Sequence, residues 1–72
     1  MKYLIIVEKT ETGFSAYSPD VDGCIATGKT KQDVENNIQE AMEFHFEGLL
    51  LEKQEIPCSH TYSNYVEIKA TA

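Results

Sequence analysis

Asp20 and Asp22, one residue apart in Pro19-Asp20-Val21-Asp22-Gly23, are the carboxylate pair in this 72-residue chain whose spacing comes nearest to chemistry. A metal-dependent nuclease needs several carboxylates converging on ions about 4 Å apart, and these two would be its first ligands. The local sequence favours a plainer role. Pro19 and Gly23 mark a turn, and aspartates in turns satisfy nearby backbone N–H groups. The apolar run Tyr3-Leu4-Ile5-Ile6-Val7 adds no inward acid, because Glu8 only closes it. A zinc site would have to draw on Cys24, Cys58, His60 and His45, but no C-x-x-C or H-x-x-x-H spacing is present. His45 falls in an apolar helical stripe where spacing puts no nucleophile or acid beside it, so a packing role is expected. Glycine-rich phosphate loops, nucleophile elbows and basic aromatic patches are absent from the sequence. The residues therefore read as a binding protein, with no catalytic residue, cofactor site or metal site expected.

Charge narrows the partner. Twelve acids against six lysines, with no arginine, give a formal charge of −6. Such a surface repels phosphate backbones and suits a basic protein. Glu40, Glu43 and Glu47 recur three and four residues apart on one helix flank, where like charges cost a few tenths of a kcal/mol per pair. With Glu35 they are the candidate partner-binding residues; a merely solvated face is the alternative. No 18-residue apolar run occurs, and the apolar start is followed at once by Glu8 and Lys9. The expectation is a single cytoplasmic domain over residues 1–72 without a membrane span. Two cysteines and no secretory signal make a disulfide framework unexpected, and Cys24 reads as a small buried residue.

The elements that would position these residues follow from period. Residues 2–8 form a β-rich run, apolar on both faces, as in a strand covered on both sides. Thr10-Glu11-Thr12-Gly13 reads as a hairpin loop with Gly13 in a left-handed conformation, leading to a strand over residues 14–18. Val21-Asp22-Gly23 gives a tight connection to a third strand over residues 24–27. Thr30 is placed to cap a helix beginning at Lys31, with Asp33 in its first turn. Val34, Ile38, Ala41, Met42, His45 and Leu49 then keep helical spacing to about residue 53. Gly48 interrupts the helix at a cost of about 1 kcal/mol relative to alanine, marking either a loosened last turn or a close neighbour. Tyr65-Val66-Glu67-Ile68 has the composition of a final strand. A right-handed crossover would lay it parallel to the first strand, giving an α+β, βββαβ domain with a four-stranded mixed sheet in order 3-2-1-4.

Phe14, Ala16, Pro19-Asp20, Gly23-Cys24, Ala26, Gly28 and Thr30, followed by the long helix and Ile56-Pro57, resemble the HicB-like antitoxin family. The resemblance covers nearly the whole chain. Asp22 and Ser59 depart from it, since members often carry proline there, and many members continue into a ribbon-helix-helix or helix-turn-helix segment where this chain stops at Ala72. It implies a partial ribonuclease H-like fold and a small basic HicA-like toxin, an mRNA-cutting ribonuclease, as the bound partner. A metal-dependent nuclease using Asp20 and Asp22, an orphan homo-oligomeric interaction module and a DNA-binding autorepressor are the rival readings. Assembly is expected as well, because one helix covers one sheet face only. Tyr17, Leu50, Leu51 and Tyr65 are the candidate contacts of a homodimer or dimer of dimers.

Overall fold

The computed structural model describes residues 1–70. Strand β1 (Ile6–Lys9), β2 (Phe14–Ser18) and β3 (Val21–Gly28) form an antiparallel meander, and α1 (Lys31–Leu51) packs on one face of it. Register fixes which side chains face the helix. Val7 pairs with Ala16 and Ala16 with Ala26, and this row points inward. The neighbouring row, Ile6 with Tyr17 and Tyr17 with Ile25, points the other way. Ala16, Val21 and Cys24 from the sheet and Val34, Ile38 and Met42 from α1 make the buried core, with Tyr3, Ile5, Phe14 and Phe46 packed at its margin. The helical stripe read from the sequence is the one that is buried, with Ala41, His45 and Leu49 half-buried beside it.

The ends of α1 are fixed by local chemistry. Thr30 Oγ1 accepts from the Asp33 N–H at 3.0 Å, which satisfies one of the helix's unpaired donors. Gly28 lets this cap sit tight on the sheet, since a Cβ there would come within 2.5 Å of the Val34 backbone nitrogen. Gly13 is required for a similar reason. Its φ is not positive, contrary to the expected left-handed conformation, and a side chain there would run into the Gly28 carbonyl. At the other end, Lys53 N–H donates to Leu50 O at 3.1 Å and Gln54 N–H to Leu49 O at 2.8 Å, the paired bonds of a Schellman cap. The left-handed position of that cap, φ 59°, is held by Lys53 where glycine is the usual residue.

Several expected boundaries are corrected. Pairing in β1 begins at Ile6 because β2 ends opposite it, so Tyr3, Leu4 and Ile5 run past the end of their neighbour. The second turn is Pro19-Asp20 alone, since Ser18 already pairs with Val21. Asp22, Gly23 and Cys24 lie in a bulge within β3, where Gly23 takes φ 80°. The four-stranded sheet is also corrected. Among the described residues the sheet has three strands with β1 at an edge, and residues 65–68 pair with none of them. The segment after α1 is tied to the end of the sheet where β1 begins, and beyond the tie its apolar side chains stay exposed, so among the described residues it does not complete a strand beside β1.

The helix holds two removable penalties. A Cβ on Gly48 would meet nothing, which rules for backbone cost over close approach among the described residues, and Lys53 carries the strain of the left-handed region. Gly48→Ala and Lys53→Gly are each expected to stabilise by about 1 kcal/mol. In thermal denaturation each should raise Tm by roughly 4–8 °C. No rise in either variant would contradict this account of the helix end.

Candidate functional site

Asp20 does something that its place in a turn did not announce. Its side chain is fully covered and points at residues 60–61, some 40 positions later in the chain. Oδ2 accepts from the His60 N–H at 3.1 Å and the Thr61 N–H at 3.0 Å, while Oδ1 accepts from the Thr61 hydroxyl at 2.6 Å. The His60 imidazole, itself 76% exposed, lies 3.3 Å from Oδ1. A second tie precedes this one, where the Tyr3 hydroxyl donates to the Pro57 carbonyl. Residues 54–61 are thus strapped across the end of the sheet where β1 begins. The Thr61 hydroxyl, and after it the two backbone N–H groups and the imidazole, hold the Asp20 carboxyl below its ordinary range against the opposing effect of its cover.

This geometry corrects the sequence reading of Asp20 as a local turn former and removes it as a metal ligand. Its lone pairs are spent on the strap, and Asp22 is exposed in the bulge. Cys24 is buried in the core, where desolvation pushes its thiol up, and Cys58 is exposed on the strap. Among the described residues no three His, Cys, Asp or Glu side chains gather as a metal-ion site. Sequence reasoning missed the strap because its two halves carry no shared local signal.

The remaining features are surfaces. All four candidate glutamates are exposed, but they do not form one flank. At about 100° per residue, Glu40, Glu43 and Glu47 fall within an arc of roughly 60°, and Glu35 lies about 80° round from Glu43. Glu35 and Glu43 rim an apolar groove of about 500 Å³ between α1 and the residues leading into β1, floored by Tyr3, Ile5, Ile38, Met42 and Phe46. Gln39 Nε2 donates to Glu43 Oε2 across one turn at 3.4 Å. A second groove of about 540 Å³ lies on the β3 side of α1, where Ile25 and Phe44 are largely exposed beside His45 and Leu49. Of the candidate dimer contacts, Tyr17 is 41% exposed on the outer face of the sheet, Leu50 and Leu51 lie open at the end of α1, and Tyr65 is 97% exposed beyond the strap. They are spread over three places and do not form one patch.

The model of the HicB-like antitoxin of the bacterial toxin-antitoxin system matches residues 3–70. The chain belongs to the HicB-like antitoxin family. Among its relatives are an uncharacterized 14.9 kDa protein of Haemophilus phage HP1, 38% identical over 92% of this chain and 50% of the phage protein, and a UPF0150 protein of Thermoplasma acidophilum, 38% identical over 79% of this chain and 84% of that one. The chain therefore spans half the length of the phage protein it matches. Two solved structures share its fold. A chain of the HicA3 and HicB3 toxin-antitoxin complex is 38% identical with a TM-score of 0.71, covering 83% of this chain and 70% of that one. The HicB3 antitoxin crystal structure is 40% identical with a TM-score of 0.69, covering 79% of this chain and 42% of that one. Among the described residues no helix is long and apolar enough to cross a membrane.

The strap yields a pH expectation with a definite sign. A carboxyl held below its ordinary value contributes its tie above that value and loses it as pH falls through the lowered one. In ¹H–¹⁵N spectra the Thr61 amide should keep its position down to roughly pH 4, the usual aspartate range, and lose it only in stronger acid. Asp20→Ala should move the His60 and Thr61 amides to unstructured positions at neutral pH while leaving the α1 resonances in place. Unchanged His60 and Thr61 amides in that variant would mean that the carboxylate does not hold the strap.

Proposed function

We propose that this protein is a non-enzymatic antitoxin that neutralises a small basic HicA-like toxin, an mRNA-cutting ribonuclease, by direct contact in the cytoplasm. The observation that carries this reading is the likeness, at 38% identity and TM-score 0.71, to a chain of a HicA3 and HicB3 toxin-antitoxin complex. The charge supports it, since a net −6 offers a cationic partner a long-range attraction and a fast encounter. Glu40, Glu43 and Glu47 on the solvent side of α1 are the electrostatic contacts we assign to the toxin, with Glu35 nearer β1. Inhibition on this reading is steric and electrostatic and asks for no catalytic group.

Assembly belongs to the same proposal. In the outward row, Tyr17 and Ile25 are exposed and Ile6 is half-buried, and a homodimer or dimer of dimers would complete their cover. The partial ribonuclease H-like βββαβ arrangement is, on this reading, a property of the assembled protein.

Co-expression with a small basic HicA-like toxin encoded beside it should give a co-purifying complex and restore growth of the host cell. Glu40→Lys, Glu43→Lys and Glu47→Lys combined should weaken binding to that partner by at least about tenfold at low salt. The loss should shrink as ionic strength rises, because exposed charges are screened. Calorimetry or biolayer interferometry would read both. The absence of any complex, with no rescue of growth, would sink the proposal.

A further inference from the structure

Three features left over from the fold meet at one edge of the sheet. The first is the segment beyond the strap, residues 62–70. Tyr62, Tyr65, Val66 and Ile68 are between 78% and 97% exposed, a large apolar cost for a chain whose own core is small. The Cα radius of gyration is 15.0 Å and the long axis 56 Å, whereas a compact chain of this length would have a radius near 11 Å. The segment therefore projects from the domain as an arm. Its sequence alternates as a half-buried strand does, with Tyr62, Asn64, Val66 and Ile68 on one side and Ser63, Tyr65, Glu67 and Lys69 on the other.

The second feature is the free edge of β1. Its other neighbour is β2, and residues 1–5 run on past the end of β2. The opposite edge of the sheet is less open, because β3 is bulged and its Thr27 carbonyl is taken by Asn37 Nδ2 at 2.8 Å. The third feature is the groove rimmed by Glu35 and Glu43. It opens because α1 lies over β3 and β2 and covers β1 least, so Tyr3, Ile5, Ile38, Met42 and Phe46 line an apolar slot beside the extension that leads into β1 and continues its edge. A strand laid on β1 would place one row of side chains in this slot and the other row on the outer face.

We propose that two copies of this chain exchange their arms: residues 62–69 of one copy add as a strand to the free edge of β1 in the other. Val66 and Ile68 fill the groove over Ile38 and Met42, while Tyr65 lies on the outer face beside Leu4 and Ile6. The fourth strand expected from the sequence is then formed between chains. A second copy is the occupant because the chain's own arm does not fill its own groove: none of residues 62–69 lines it, and Tyr65, Val66 and Ile68 are exposed. The Tyr3 and Asp20 ties hold the root of the arm at the start of β1, and beyond them Tyr65 is 97% exposed. Holding the root also lowers the ordering cost of binding. The exchange is self-complementary, arm to groove and groove to arm, as twofold pairing requires. Its size is adequate. Two tyrosines per arm bury roughly 150–250 Å² each, and both arms with Val66 and Ile68 reach the roughly 1,000 Å² of a specific interface. The inference rests on the homodimer proposed above and does not depend on the toxin.

Light scattering at tens of micromolar should give twice the 8.1 kDa chain mass. Val66→Asp with Ile68→Asp should reduce it to a single chain with the helical circular dichroism signal retained. In a background of Cys24→Ala and Cys58→Ser, two differently tagged chains, one with Met42→Cys and the other with Val66→Cys, should oxidise to a mixed disulfide. A dimer that survives the double aspartate substitution would overturn the exchange and leave the dimer standing. A monomeric natural chain would overturn both. A Met42→Cys and Val66→Cys chain that closes its disulfide internally at high dilution would mean that the arm fills its own groove.

Discussion

The packing of Val34, Ile38 and Met42 against Ala16 is the constraint on which the other features depend. A methyl side chain at the middle of the sheet lets α1 come close, and Gly28 lets the first turn of the helix rest against the end of β3. Once seated there, a single helix cannot span three strands evenly. It covers β3 and β2 and leaves β1 half-clothed on its inner side and Tyr17 and Ile25 exposed on the outer side of the sheet. In a chain this short, which buries only about 60% of the surface it exposes when unfolded, that asymmetry makes the uncovered apolar rows a working surface.

The parts of the fold that were legible in the sequence are those whose cause is local. The hairpin loop between Lys9 and Phe14, the Thr30 cap with Asp33 in the first turn, the buried stripe of α1 and the exposed excess of Leu50 and Leu51 all follow from residues within a few positions of one another. The order of the first three strands was equally readable, because a meander puts sequence neighbours side by side. What could not be read has a distant cause. The start of β1 is set by where β2 ends, and the bulge at Asp22-Gly23-Cys24 by a register shift opposite Tyr17 and Ser18. The residues around 65–68 have the composition of a strand, yet among the described residues they pair with none.

The candidate site divides in the same way. Acidity and the poverty of catalytic residues are properties of composition, and they pointed toward a binding protein, while the likeness to the HicB-like antitoxin family lay in the ordered turn and small residues from Phe14 to Thr30. Asp20 shows the limit of such reading. Between proline and valine in a turn, its carboxylate has ordinary local partners, yet the fold spends it on the Thr61 hydroxyl and two backbone N–H groups from the far end of the chain. Nothing near Asp20 in the sequence distinguishes these two uses. The same limit applies to the glutamates of α1, which share a helix but are divided between the groove rim and the solvent side.

The corner where Gly13, Gly28 and the start of α1 meet has a consequence for how this sequence can vary. The hairpin loop rests on the Gly28 carbonyl, and Gly28 in turn rests on the Val34 backbone, so two positions 15 residues apart are joined through backbone alone. Neither can acquire a side chain unless the loop lifts or the helix slides, and a sliding helix would carry Val34 and Ile38 out of register with Ala16. Drift is therefore free on the loop tip, at Glu11 and Thr12, and blocked one residue later. A substitution at this corner would be tolerated only together with a compensating retreat of the first helical turn, which ties the history of the two glycines to each other.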